Sequence, residues 1–234
     1  MIEITNLSKH YGEKAALANV YLTFSDNKIY GLLGSNGAGK TTLMKIIANR
    51  LFQTAGTVTV QGQPVLENER VQQNIFCVTE NDKYPKDIKL KNLLVWESRF
   101  FPDFDLDYAK DLAQKFDLDL NKKTNSLSTG YYTILKVVVA LASKAKIMIL
   151  DEPVLGIDSL YRELFYEVLL THHRQYQNLI IISTHLIEEV EPVLQEVVII
   201  DRGRIIKQGT LQEIAENESL NQAYVNILKG VRHG

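Results

Sequence analysis

Residues 1–7 and 17–24 alternate or run apolar, the pattern of β-strands. Residues 29–33 (IYGLL) form a short unbroken apolar run, which predicts a strand buried on both faces. Residues 57–66 predict a hairpin turning near Gly62, and 74–78 a further apolar strand. The pattern then changes. Residues 86–143 carry helical periodicity and almost no strand signal. Over 107–116, Tyr108, Leu112 and Phe116 fall on one helical face, and a second helix is expected over 133–143, after Gly130. Strand signals return at 146–151, 179–184 and 197–201. Helices are expected at 159–175, 185–191 and through 210–230. Strands alternating with helices predict a largely parallel sheet, so the layout is an α/β core with a helical insertion between about 81 and 143.

Between the strand at 29–33 and a helix expected over 42–51 lies GSNGAGKTT, which fits the phosphate-loop pattern G-x-x-x-x-G-K-[ST]. Glycines let successive backbone N–H groups turn toward phosphate oxygens. Lys40 offers a positive charge to the terminal phosphates, and the Thr41 hydroxyl is a ligand for Mg²⁺. A helix N-terminus favours the same anion. The apolar strand at 147–150 ends in Asp151 and Glu152. Beside a phosphate loop, Asp151 suits the Mg²⁺ shell and Glu152 suits orienting and deprotonating an attacking water. An ordinary strand ending in a surface acidic pair is the competing reading.

Charge and composition narrow the partners. The chain has 26 basic and 28 acidic residues among 234, so no net field points to nucleic acid. No apolar run approaches the ~20 residues that cross a bilayer, and the N-terminal stretch lacks a signal-peptide pattern. Any membrane role is then expected to work through a partner. The single cysteine, Cys77, lies in an apolar run and reads as a buried small hydrophobe in a reducing compartment. His10, His172, His173 and His233 have no chemical context and are expected at the surface.

Two further elements flank the acidic strand: Leu127-Ser128-Thr129-Gly130 before it and Ser183-Thr184-His185 after it. With the phosphate loop, their order and spacing resemble the ATP-binding cassette (ABC) family over essentially the whole chain. The resemblance implies a P-loop NTPase fold of α/β class with an antiparallel β subdomain and an inserted α-helical subdomain. It implies one cassette domain over 1–234: 1–80 and 144–234 as the core, 81–143 as the helical part. It implies ATP and Mg²⁺ as ligands. Gly34, Ser35, Asn36, Gly37, Ala38, Gly39, Lys40, Thr41 and Thr42 would wrap the phosphates, and Tyr11 would stack on adenine unless it is a core tyrosine. Ser128 and Gly130 would touch the γ-phosphate held by a second subunit. Asp151 and Thr41 would serve the metal, Glu152 the water. Asp158 would signal across the pair. His185 would reach the γ-phosphate, or else cap the next helix.

The chain departs from the family at several positions. Glu80 stands where glutamine is usual, in a loop that touches both metal and membrane partner, and is expected to bind the metal and retune turnover. Thr129 replaces the first signature glycine, Tyr131 stands where glutamine is common, and Val154-Leu155 replace Thr-Ser. Since Glu152 and His185 are present, hydrolysis is expected. The partners implied are a second ATP-binding subunit and an integral membrane transporter subunit at the cytoplasmic face of the cell membrane, with no nucleic acid. Tyr84, Trp96, Phe100, Phe101 and Phe104 either line the groove for that membrane subunit or form the core of the helical insertion. The segment at 99–128 resembles exporter cassettes of Gram-positive bacteria linked to peptide or antimicrobial efflux. The rival reading is a soluble ABC-type ATPase acting as a switch. Only one phosphate loop is present and no sustained heptads occur, which disfavours that rival. A GTPase or kinase is disfavoured by the signature and the absence of an N-K-x-D motif.

Overall fold

The protein is described by a computed structural model covering residues 1–233, with side chains through 231. The expectation for His233 therefore lies outside the described side chains. In chain order the elements are β1 (Ile2–Tyr11), β2 (Lys14–Phe24), β3 (Ile29–Leu33), α1 (Lys40–Ile47), β4 (Ala55–Val60), β5 (Gln63–Pro64), α2 (Glu69–Gln72), β6 (Ile75–Val78), α3 (Leu90–Glu97), α4 (Leu106–Lys115), α5 (Thr129–Ala142), β7 (Ile147–Asp151), α6 (Ser159–Tyr176), β8 (Leu179–Ser183), α7 (Ile187–Val190), β9 (Glu196–Asp201), β10 (Arg204–Thr210), α8 (Leu211–Ala215) and α9 (Leu220–His233).

Two sheets form. One is antiparallel, ordered β2-β1-β4-β5; the other is ordered β10-β9-β3-β8-β7-β6. In the larger sheet β9, β3, β8, β7 and β6 are parallel and β10 pairs antiparallel at the edge. The central strands read as unbroken apolar runs because each face has its own core. Leu179 and Ile181 point with Ile147, Ile149, Val198 and Ile200 into a core shared with Leu43, Met44 and Ile47 of α1 and with Ile2, Leu7 and Leu17 of the smaller sheet. Ile180 and Ile182 point the other way, with Met148, Leu150 and Ile199, onto Leu112, Leu135, Val138 and Phe165 of the helices. Helix α1 is thus held between two sheets. Fully burying one such Ile or Leu contributes about 1.5–3 kcal/mol.

The clearest differences from the sequence expectation lie in β10, α1 and α5. Strand β10 was not expected: it is a half-exposed edge strand with a polar sequence, so it lacks the apolar signal. Its pairing with β9 is set by Arg202 and Gly203, whose φ angles of 47° and 75° suit a two-residue hairpin turn. Helix α1 starts at Lys40, two residues earlier than expected. Helix α5 starts at Thr129 and not after Gly130, because the Ser128 hydroxyl accepts the Tyr131 N–H at 3.3 Å and caps the helix there. Among the described residues no helix is long and apolar enough to cross a membrane.

The histidine expectation is corrected for two residues. His172 and His173 are buried. Phe165, Val168, Leu169 and His172 recur on one face of α6, and that face is the packed one. The His172 ring stacks on Tyr108, with centroids 5.9 Å apart and 10° between planes, and lies 4.6 Å from Tyr176. Burial pulls its pKa down to about 4, with His173 and Lys144 adding like charge. An unfolded histidine titrates near 6.5. The unfolded chain therefore takes up a proton that the folded one refuses, so stability falls as pH drops from about 6.5 to 4, by roughly 3 kcal/mol for a shift of this size. His172→Phe keeps a stacking ring and is expected to flatten the melting temperature across that window. An unchanged acid-side slope would assign the loss to other groups.

Candidate functional site

Because β3, β7 and β8 are parallel neighbours, their carboxyl ends bring the segments after residues 33, 151 and 183 to one edge of the sheet. Gly39 has φ 113°, and a Cβ there would lie 2.7 Å from the Ala16 carbonyl oxygen, so the turn into α1 packs against β2 only as glycine. Lys40 is buried, and its Nζ donates to the carbonyls of Gly34 at 2.6 Å and Ser35 at 3.2 Å. Burial lowers the Lys40 pKa, while the carboxylates of Glu152 and Asp151 oppose that shift. Thr41 Oγ1 donates to Asp151 Oδ2 at 2.8 Å and joins the first turn of α1 to the end of β7.

Glu152 follows at φ 50°, a left-handed conformation uncommon for a residue with a Cβ. Its N–H donates to the Ser183 carbonyl at 2.8 Å. Both carboxylate oxygens are engaged. Oε2 accepts from Thr184 Oγ1 at 3.0 Å; Oε1 accepts from the His185 N–H at 3.1 Å and lies 3.0 Å from His185 Nδ1. The Glu152 side chain is 15% exposed and that of His185 57%, so the carboxylate is enclosed and the imidazole faces the cleft mouth. Tyr11, residues 36–42, Glu80, Asp151, Glu152 and His185 line one cleft of about 480 Å³. Tyr11 is half exposed, with the Lys9 ammonium 5.1 Å from its ring centroid, so it is not a core tyrosine. Cation, hydroxyl and paired carboxylates on one cleft make a place where a triphosphate can be gripped and a water activated for attack.

Ser128 belongs to a different cleft, of about 400 Å³, lined also by Thr129, Glu80, Asp151 and Glu152. The first turn of α5 packs tightly on the loop before α6. A Cβ on Gly130 would lie 2.4 Å from the Gly156 carbonyl oxygen, and Thr133 Oγ1 donates to the Leu155 carbonyl at 3.0 Å. Asp158 caps α6, accepting the Tyr161 N–H at 3.1 Å. Thr129 itself is exposed.

The aromatic set divides. Phe101 packs on Phe76 with centroids 4.9 Å apart, and Tyr84 and Phe104 are half buried against the helical core. Trp96 (40% exposed) and Phe100 (55%) pair edge to face on the surface. Cys77 is buried, and burial pushes its thiol up to about 12, which keeps it neutral. Two polar residues at the site carried a weak sequence signal. Thr184 adjoins His185, and Lys136 is a lone cation inside the apolar run of α5.

A sequence profile described as ABC transporter matches residues 17–155. Among relatives, the chain is 29% identical over 227 residues to the ABC transporter ATP-binding protein YtrB of Bacillus subtilis, spanning 97% of this chain and 76% of that one. It is 31% identical over 223 residues to the Nod factor export ATP-binding protein I of Burkholderia lata, spanning 93% and 73%. The fold superposes on an ATP-binding subunit of an ABC transporter with TM-score 0.89 at 24% identity, covering 97% of this chain and 99% of that one. A dimeric cassette in a post-hydrolysis state bound to ADP and Pi gives 0.78 at 22% identity, covering 90% and 99%. The profile covers more than half the chain and takes in both the phosphate loop and the Asp151–Glu152 strand end, and on that ground the chain belongs to the ABC transporter family, as an ATP-hydrolysing ATP-binding cassette.

Proposed function

We propose that this cassette powers export through a separate membrane subunit, by closing on a second cassette when ATP binds and opening after hydrolysis. The observation that carries the reading is the placement of the signature: Lys40, Thr41 and His185 line the phosphate cleft, while Ser128 lines an adjoining cleft that shares Glu80, Asp151, Glu152 and Leu155 with it but none of the phosphate-loop residues. A second subunit's Ser128 and Gly130 then complete the phosphate site, as the dimeric post-hydrolysis neighbour suggests. Such a pair is a switch whose closed state binds ATP far better than its open state.

Within the site, Lys40 exchanges its loop carbonyls for phosphate oxygens, and the residues 34–42 backbone donates to the rest. Tyr11 stacks on the base. Glu152 takes the proton of the attacking water, and Thr184 and His185 hold its carboxylate. His185 reaches the γ-phosphate, and Asp158 carries the state of the site across the pair. Among the described residues no three His, Cys, Asp or Glu side chains cluster to hold a metal. The Thr41–Asp151 pair nevertheless fits Mg²⁺, which binds few protein groups and takes the rest of its octahedral shell from phosphate and water. Glu80, on the same cleft, is the third candidate ligand. Bound Mg²⁺ would neutralise charge developing on the phosphates.

The membrane subunit docks beside the Glu80 loop, where Arg50, Asp82, Tyr84, Glu97 and Phe101 line a groove of about 380 Å³. With such a partner the chain would work at the cytoplasmic face of the membrane. The Nod factor export relative favours the export direction, and the resemblance of residues 99–128 favours a peptide or antimicrobial cargo. Coexpression with a candidate membrane protein from a neighbouring gene tests this. The cassette is expected to copurify, and candidate peptides are expected to raise its ATP turnover. Failure to copurify, with turnover indifferent to the membrane protein, would favour a soluble switch.

A further inference from the structure

Lys136 lies in the middle of α5 and is only 6% exposed. An ammonium so deep is retained only if its protons are matched. Its Nζ donates to the carbonyls of Thr79 at 2.9 Å and Glu80 at 2.8 Å, and the Tyr132 ring centroid lies 5.4 Å away. These bonds reach from the helix capped by Ser128 to the loop that carries Glu80. That loop has a second anchor. Asp82 Oδ2 accepts the Thr79 N–H at 2.8 Å and Arg50 Nη1 at 2.7 Å, just beyond α1. Burial raises the Asp82 pKa, but the Thr79 N–H and the Arg50 guanidinium outweigh it and hold the group ionised. The loop is therefore tied by one cation to the phosphate-loop helix and by another to the Ser128 helix.

We propose that Lys136 is a positioning residue: its buried ammonium tethers the Glu80 loop to α5, so that a shift of α5 moves Glu80 relative to the phosphate cleft. The consequence for turnover rests on the reading of Glu80 given above. The tether itself does not. Two carbonyl bonds fix the peptides on either side of the Glu80 Cα, and Glu80 lines both the phosphate cleft and the Ser128 cleft. Moving α5 when Ser128 meets a second subunit then re-aims the Glu80 carboxylate without any contact between Lys136 and nucleotide. Small displacements suffice, since a misplacement of about 1 Å costs on the order of a hundredfold in rate.

The test uses the full chain carrying Lys136→Met, with Lys136→Arg as the conservative variant. Hydrogen exchange is expected to rise in amides 79–84 of the Met variant and to stay unchanged in α3. ATP affinity is expected to remain within about twofold, because the phosphate loop is untouched, while kcat falls roughly tenfold or more. Arg keeps donors for both carbonyls and is expected to restore much of the kcat. The Met substitution repeated in a Glu80→Ala background is expected to lose its effect on kcat, a non-additivity that a general loss of stability would not produce. Unchanged exchange at 79–84, a parallel loss of ATP affinity, or additive effects in the double variant would each overturn the proposal. If Glu80→Ala alone leaves turnover unchanged while exchange responds to Lys136→Met, the tether stands and the metal role of Glu80 falls.

Discussion

Glu152→Gln is expected to reduce the rate of phosphate release by roughly 10²–10⁴-fold while leaving ATP binding intact. Gln is nearly isosteric and keeps one carbonyl oxygen. It can still accept from Thr184 or the His185 N–H, which hold the native carboxylate at 3.0 and 3.1 Å. It cannot take a proton from water. Loss of turnover without loss of binding therefore separates proton transfer from grip. The same variant tests the pairing. With hydrolysis blocked, ATP is expected to shift the chain to a dimer on gel filtration, and ADP is not. Turnover at the native rate would remove Glu152 from the chemistry. A variant that is dead yet monomeric with ATP would leave the chemistry standing and count against closure on a second copy.

Lys40→Met should act on binding. The ammonium feels the charge of both Glu152 and Asp151, and it bonds two loop carbonyls. A charge-assisted bond to phosphate is worth about 1.5–3 kcal/mol, so the ATP dissociation constant is expected to rise on the order of ten- to a hundredfold. The nucleotide-free protein is expected to melt within a few degrees of the native one. Methionine fills similar space, and removing a partly desolvated charge offsets the two lost bonds. Titration with a fluorescent ATP analogue reads the first effect and calorimetry the second. A variant that binds ATP normally would show that the backbone of the loop, and not its cation, carries the affinity.

Much of the fold and site was legible along the chain because the signals are local. Unbroken apolar runs at 29–33, 147–150 and 179–182 mark strands covered on both faces. The glycine spacing at 34–39 marks a turn that side chains cannot make, and an acidic pair after an apolar strand marks a sheet edge where chemistry is placed. What was missed depends on neighbours distant in sequence. Strand β10 carries a polar composition and exists because β9 offers it an edge. His172 reads as an unremarkable histidine until Tyr108 of α4 closes over it. Trp96 and Phe101 read alike, yet one is left at the surface and the other is packed on Phe76.

The phosphate loop and the acidic strand end are readable along the chain because each lies within a few consecutive residues, and their order along the chain carries the family. How these parts share a site depends on the packing of distant segments. Parallel pairing of β3, β8 and β7 sets Lys40, Thr41, Glu152 and His185 on one cleft. The fold also sets Ser128 on an adjoining cleft, away from the phosphate-loop residues, and lets Lys136, an isolated charge in an apolar helix, reach back 56 and 57 positions to the loop of Glu80. A buried ammonium must find acceptors wherever the fold supplies them, and no periodicity along the chain records where that is.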